Sequence, residues 1–163
     1  MNHRRRRFVL VKLNASLYAV GGFDDSRGFL SSMEHYSLEA NQWCQDAPMS
    51  CKRGDFGAVE LSGFIYAVGG VNERQGSLHS VERFNPKTDS WTAMASMKSC
   101  RGGHATAVFC GKIFALNGMI EYMSAVDTVE CFDETSNLWN TVASTKTARF
   151  GAAAVVYPYF ISK

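Results

Sequence analysis

The side chains that could do chemistry here recur on a fixed interval. Arg53, Arg101 and Arg149 stand 48 residues apart, and so do Glu34, Glu82 and Glu130. An arginine can grip a carboxylate or phosphate bidentately, or it can brace a loop through backbone carbonyls, and spacing leaves both roles open. For the glutamates we expect a hydrogen bond or ion pair rather than acid–base chemistry. Repeat symmetry holds them far apart, whereas paired glycosidase carboxylates sit within roughly 5–10 Å. The histidines His3, His35, His79 and His104 lack HxH or HExxH spacing. Cys100, His104 and Cys110 could be drawn as a partial zinc set. The repeat frame, however, puts Cys110 in a hairpin turn and Cys100 in a loop, so we expect no metal. No nucleophile elbow, P-loop or dinucleotide fingerprint occurs. We therefore expect no enzyme, no catalytic residue and no cofactor.

The elements that position these residues follow from the same interval. A 48-residue shift lays Gly21-Gly22 on Gly69-Gly70 and on Asn117-Gly118, and Trp43 on Trp91 and Trp139. Each copy opens with a short apolar run (FVLVKL, FGAVEL, ATAVF; then AAAVVY), which predicts a strand buried on both faces. A two-residue turn follows at Asn14-Ala15, Ser62-Gly63 or Cys110-Gly111. The second strand (SLYAV, FIYAV, KIFAL) stops at the glycine pair, where missing Cβ atoms allow close backbone approach. Asn117 replaces the first glycine, and Asn best tolerates a left-handed backbone. Next come a polar loop and a third strand (SMEHYS, SVERFN, TVECFD) with half-buried alternation. A fourth strand runs from each Trp towards Met49, Met97 or Thr145. Each unit is thus a four-stranded antiparallel meander without helix, the signature of a β-propeller blade.

The pattern G-x-I-Y-A-V-G-G, V-E-x-Y/F, W with M six residues on, and then M-x-x-x-R resembles the Kelch repeat. It covers residues 5–157. The resemblance implies an all-β partial Kelch propeller: three four-stranded blades plus one extra first strand. We divide the chain into a basic leader (1–7) and a partial Kelch domain (8–163). Its repeats are 14–61, 62–109 and 110–157, and 158–163 starts a fourth. Gly21, Gly22, Glu34, Trp43, Gly69, Gly70, Glu82, Trp91, Gly118, Glu130 and Trp139 read as scaffold positions, because packing must recur in every blade. Asn117, Thr145 in place of Met, and Ala15 in place of a hairpin Gly depart from the pattern. Kelch propellers close with about six blades. Three therefore suggest a fragment or short form of a larger propeller, with pairing of two three-blade chains into one ring as the alternative. The leader is expected to be solvated, although the shift also places Arg5 on Arg53.

Function is expected where the copies differ, in loops held by a rigid frame. One loop family follows the glycine pair and holds Phe23, Asp25, Val71, Glu73, Arg74, Met119, Glu121 and Tyr122. The other carries Arg53, Arg101 and Arg149, and both leave the blade at the same end. By resemblance Phe23, Val71, Met119 and the three arginines contact a peptide segment of a protein partner, and we read the other loop residues as contacts from their place in the variable loops. The implied function is the non-catalytic substrate-recognition part of a BTB–Kelch adaptor for a cullin-RING ubiquitin ligase. Cullin would be reached only through BTB and BACK regions absent from this chain. The alternative is an actin- or cytoskeleton-binding Kelch protein.

Charge and cysteines set the remaining bounds. The formal charge of +2 rests on Arg4, Arg5, Arg6 and Arg7, without which the rest is net negative, so no nucleic-acid partner is expected. No run approaches the ~18 apolar residues of a membrane span, and none suits a signal peptide. Five cysteines (Cys44, Cys51, Cys100, Cys110, Cys131) are an odd number without a disulfide framework. We read them as mostly buried thiols of a cytoplasmic protein.

Overall fold

The computed structural model describes residues 1–120 and 124–156. Regular structure there is all β, in three repeats of one plan. The first holds β1 (Val9–Leu13), β2 (Ser16–Val20), β3 (Phe23–Asp24), β4 (Gly28–Phe29), β5 (Met33–Ser37) and β6 (Gln42–Asp46). The second holds β7 (Gly57–Leu61), β8 (Phe64–Val68), β9 (Val71–Asn72), β10 (Gly76–Ser77), β11 (Val81–Asn85) and β12 (Ser90–Met94). The third holds β13 (Ala105–Phe109), β14 (Lys112–Leu116), β15 (Val129–Asp133) and β16 (Leu138–Val142). Hydrogen bonding joins β1-β2-β5-β6, β7-β8-β11-β12 and β13-β14-β15-β16 into antiparallel four-stranded sheets. The expected polar loops after the first two glycine pairs are small two-stranded arms, β3-β4 and β9-β10.

Turn chemistry sets the register. Ser62 and Gly63 both take positive φ (55° and 82°), as do Cys110 and Gly111 (49° and 70°), the geometry that matches the twist of flanking strands. These turns pair Leu61 with Phe64 and Phe109 with Lys112. At the departure from the pattern, Asn14 alone turns left-handed (54°), and Leu13 still pairs with Ser16.

Neighbouring sheets pack face to face. Val11, Leu13, Tyr18, Val20, Met33 and Met49 of the first repeat meet Ile65, Ala67 and Phe84 of the second. Leu61, Tyr66, Val68, Val81 and Met97 of the second then meet Ile113, Ala115, Phe132 and Trp139 of the third. Full burial of such side chains stabilises by about 1.5–3 kcal/mol each. Aromatic pairs repeat at both junctions: Tyr18 lies 5.9 Å from Phe84, and Tyr66 lies 5.8 Å from Phe132. The tryptophans fasten the outer edge, with Trp91 Nε1 donating to the Ala47 carbonyl (2.9 Å) and Trp139 Nε1 to that of Ala95 (3.0 Å).

Several expectations are corrected. The third strands depart from an even half-buried alternation to different degrees: β15 is buried from Val129 to Phe132, whereas β5 is buried only at Met33 and Glu34. The first strands are the more open ones; Val59 and Glu60 of β7 retain exposure, because each first strand has a ladder partner on one side only. The fourth strands start one residue before each Trp and end at Asp46, Met94 and Val142, short of Met49, Met97 and Thr145. Ala152–Val156 form no strand among the described residues. A first strand pairs only with the second strand of its own sheet, and residues 157–163 lie outside the described set. Nor are the thiols mostly buried: Cys131 is, Cys44, Cys51 and Cys100 are partly exposed, and Cys110 is exposed on its turn.

Candidate functional site

The end of each blade at the glycine pair is held by a clamp built from the recurrent arginine and glutamate. Arg53 has no exposure, and its guanidinium donates to the carbonyls of Gly69 (2.8 Å) and Ser80 (3.0 Å) and to Glu82 Oε1 (2.7 Å). Glu82 also accepts the backbone N–H groups of Ser50 (2.7 Å) and Cys51 (3.2 Å). The next repeat does the same: Arg101, also unexposed, donates to the carbonyls of Asn117 (2.7 Å) and Thr128 (2.8 Å) and to Glu130 (2.9 Å). Glu130 takes the N–H groups of Lys98 (2.6 Å) and Ser99 (3.1 Å). Each carboxylate thus ties its own sheet to the segment arriving from the sheet before. A buried ion pair persists where further hydrogen bonds offset its desolvation, and here the terminal guanidinium NH groups and the carboxylates have such partners, with Arg53 Nε left unpartnered among the described residues.

The same clamp opens the chain. The Arg5 side chain is fully buried and donates to Gly21 O (2.9 Å), Ser32 O (2.9 Å) and Glu34 Oε1 (2.6 Å), so this part of the leader is not solvated. Asn2 and His3 supply the backbone N–H groups to Glu34. Burial alone would raise the Glu34 pKa; the hydrogen bonds from Arg5 and Asn2, with the Arg5 charge, outweigh it and leave it below the ordinary value.

The glycine pairs make room for the clamp segment. A Cβ on Gly69 (φ 58°) would lie 2.8 Å from the Arg101 carbonyl, and one on Gly70 (φ 103°) 2.8 Å from that of Gly54. Asn117 takes the same left-handed backbone (φ 62°), and its departure is linked to the one at Thr145. In the first two repeats a Met methyl, from Met49 or Met97, packs over the first glycine. In the third, Asn117 Nδ2 donates to Thr145 Oγ1 (3.0 Å) and to the Thr147 carbonyl (2.9 Å). The two departures are one exchange, an apolar contact replaced by a hydrogen bond.

His104 occupies the seat that Phe8 and Phe56 fill in the other repeats. It is buried, and neither ring nitrogen has a hydrogen-bond partner among the described residues. Burial foremost, then the positive charges of Arg101 and Arg53, hold its pKa down to about 3 against a weaker opposing pull from the Arg101 backbone. It is therefore a neutral packing group rather than a ligand. Cys100 instead lies 3.6 Å from His79 Nδ1, and Cys100, His104 and Cys110 are not gathered into a metal-binding cluster among the described residues.

The loops that differ among repeats lie beside the clamp segments. Backbone bridges join Arg6 to Phe23, Gly54 to Val71 and Gly102 to Met119, bringing both loop families to one end of each blade. Phe23 packs edge-on against Phe29 (5.1 Å) beneath the Arg6 guanidinium (4.8 Å), and Arg6 pairs with the exposed Asp25 at 2.6 Å. Asp24 accepts from the Ser26 hydroxyl and from the Ser26 and Arg27 backbone, which lowers its pKa, the Ser26 hydroxyl contributing most. At the matching position Asn72 caps Arg74 (3.1 Å) and Gln75 (2.8 Å). Glu73 and Arg74 are exposed, and Val71 and Met119 are half-buried.

Arg53 and Arg101 must therefore be withdrawn as partner contacts: their terminal NH groups bond within the fold and they have no surface. Arg149 is exposed, and its carbonyl accepts from Gly118 N (2.8 Å). Glu121 and Tyr122 lie outside the described residues. Sequence reasoning missed Arg6 as a surface group at this end. The signal was available, since the 48-residue shift sets Arg6 against Gly54 and Gly102, a place where the copies disagree.

Three four-stranded meanders, stacked face to face and clamped at one end, define an arc of a β-propeller whose sheets do not close into a ring. A family model for the Kelch motif matches residues 4–50, 52–98 and 100–146, and this chain belongs to the Kelch-repeat family. Among solved structures it is similar to that of YjhT, with a TM-score of 0.78 and 17% identity over 90% of this chain. The match spans 54% of that structure's chain, so the present chain covers about half of a larger propeller of the same fold.

Proposed function

We propose that this chain is a non-catalytic protein-interaction module that binds a peptide segment of a partner across the clamped end of the blades. The observation that carries this reading is a division of labour. The residues common to all repeats are consumed in the scaffold, while Asp25, Glu73 and Arg74, which differ between repeats, stand exposed on rigid arms beside Phe23, Val71 and Met119. Both signs of charge next to apolar side chains suit a peptide of mixed character with an apolar anchor. Kelch repeats in general support protein binding. The finer reading is the substrate-recognition part of a BTB–Kelch adaptor for a cullin-RING ubiquitin ligase, in the cytoplasm. Free thiols at all five cysteines support a reducing compartment.

Quantitative affinity capture tests the proposal. It compares the wild-type chain with Asp25→Lys, with Glu73→Lys, and with Lys87→Glu at the opposite end of the blade as control. One set of proteins should be lost from the first two variants and kept by the control. Equal capture by all four overturns the site. Co-sedimentation with filamentous actin, if it survives the control but not the face variants, replaces the ubiquitin-ligase reading with the cytoskeletal one.

A further inference from the structure

One side-chain pair sits where the repeats stop agreeing. Cys100 Sγ lies 3.6 Å from His79 Nδ1, and among the described residues no other thiol has an imidazole within hydrogen-bonding distance. Both members depart from the repeat. The 48-residue shift sets Cys100 against Arg4, Lys52 and Ala148, and His79 against Ser31 and Asp127. The pair therefore forms in this one place, and packing common to the blades does not require it. The backbone beneath it is fixed on both sides: Met97 N donates to His79 O (2.9 Å) and Arg101 N to Leu78 O (2.8 Å). Both side chains reach water, Cys100 partly and His79 freely. A cavity of about 180 Å³ opens onto them, lined also by Gln75, Ser77, Leu78 and Ser80. The other thiols have different surroundings. Cys51 Sγ lies against the amide groups of Asn72 (3.4 Å) and Gln75 (3.9 Å), Cys44 is partly exposed, Cys110 is exposed on its turn and Cys131 is buried.

We propose that Cys100 is a site of reversible modification by small disulfides, with His79 as the base that serves the exchange. The thiolate, not the thiol, attacks a disulfide sulfur. The Cys100 proton passes to His79 Nδ1, and Sγ attacks one sulfur of the small disulfide. A new Sγ–S bond forms as the old S–S bond breaks, and the departing thiolate takes the proton back from the imidazolium. Cys100 is thereby oxidised to a mixed disulfide while half of the reagent is reduced to a free thiol, so no outside oxidant enters. A second small thiol runs the same steps in reverse. The cavity sets the size and polarity of the group added: it has room for a few heavy atoms, with Gln75 and Ser77 as hydrogen-bonding groups beside the buried Leu78. Gln75 and Ser77 belong to the β9-β10 arm that also carries Glu73 and Arg74, so the added group sits beside the variable face. The inference stands on the thiol–imidazole pair and its cavity, and does not rest on what that face binds.

The test treats the folded, reduced 163-residue chain with bis(2-hydroxyethyl) disulfide at pH 7. Samples are quenched in acid over time, the remaining thiols are alkylated, and each cysteine is read by peptide mass spectrometry. An unassisted thiol is only a few per cent thiolate at pH 7, which leaves room for a gain of about tenfold. Cys100 should therefore react about tenfold faster than Cys44, Cys51 and Cys110, with the buried Cys131 slowest. His79→Gln, at an exposed position, should bring Cys100 into the range of those three and leave their own rates unchanged, which also reports an intact fold. In urea the five cysteines of the wild type should react at similar rates, because the pair exists only in the folded chain. Reaction at Cys110 as fast as at Cys100, an unchanged Cys100 rate in His79→Gln, a loss shared by every cysteine of that variant, or a Cys100 lead that persists in urea overturns the inference.

Discussion

The most informative perturbation is His104→Phe. His104 sits in a seat that Phe fills in the other two repeats, with both ring nitrogens unpartnered. Its ordinary pKa of 6.5 falls to about 3 in the folded chain, so below pH 6.5 the unfolded chain takes a proton that the folded chain refuses. The sign follows: this histidine costs little above pH 6.5 and destabilises increasingly as pH falls from 6.5 towards 3. Linkage sets the slope at about 1.4 kcal/mol per pH unit, which amounts to about 2 kcal/mol between pH 7.5 and pH 5. At neutral pH the unmet ring nitrogens add about 1–3 kcal/mol of desolvation that Phe does not incur. Urea unfolding at pH 7.5, 6 and 5, at one protein concentration, should show His104→Phe more stable throughout, with the gap widening by about 2 kcal/mol at pH 5. Parallel stability curves for the two proteins would refute both the buried neutral imidazole and the equivalence of its seat to that of Phe56.

The clamps give three further expectations. Arg53→Ala leaves Glu82 buried without its cation and should cost about 3–5 kcal/mol, whereas the exposed Arg149→Ala should stay within about 0.5 kcal/mol; thermal unfolding separates the two. Glu34→Gln should remove stability that the wild type holds above the ordinary Glu pKa of 4.5, since a depressed carboxylate pKa contributes there and is lost as pH falls. The difference should shrink in an acid titration followed by circular dichroism. For the third-repeat exchange, Asn117→Gly and Thr145→Met should each destabilise alone, and the double variant should recover about 1 kcal/mol in a double-mutant cycle.

The blade plan was legible in the sequence because the 48-residue interval carries hairpin, glycine pair and Trp together, each with a local physical cause. Burial of individual strands was less so. FGAVEL looks apolar enough for a core strand, yet it pairs on one side only, while VERFN carries two charges and is nonetheless buried at Val81, Glu82 and Phe84. Neither fact is local: each depends on where the strand falls across the sheet. The arginines show the other limit. Recurrence marked Trp91 as scaffold, and the same logic applies to Arg53, but an arginine's chemistry invites a ligand and its spacing does not show that Gly69, Ser80 and Glu82 already hold its terminal NH groups. The proposed partner site at Asp25, Glu73 and Arg74 lies where the copies differ, so no repeat constrains its reading.

The clamp has a consequence for how this chain comes into being. Each glutamate lies 29 residues after its arginine and 31 to 32 after the backbone groups it holds. Such contacts close over short loops, and each needs nothing downstream of the sheet it secures. During synthesis each latch can therefore close as soon as the sheet that carries its glutamate has emerged, without waiting for the repeat that follows it.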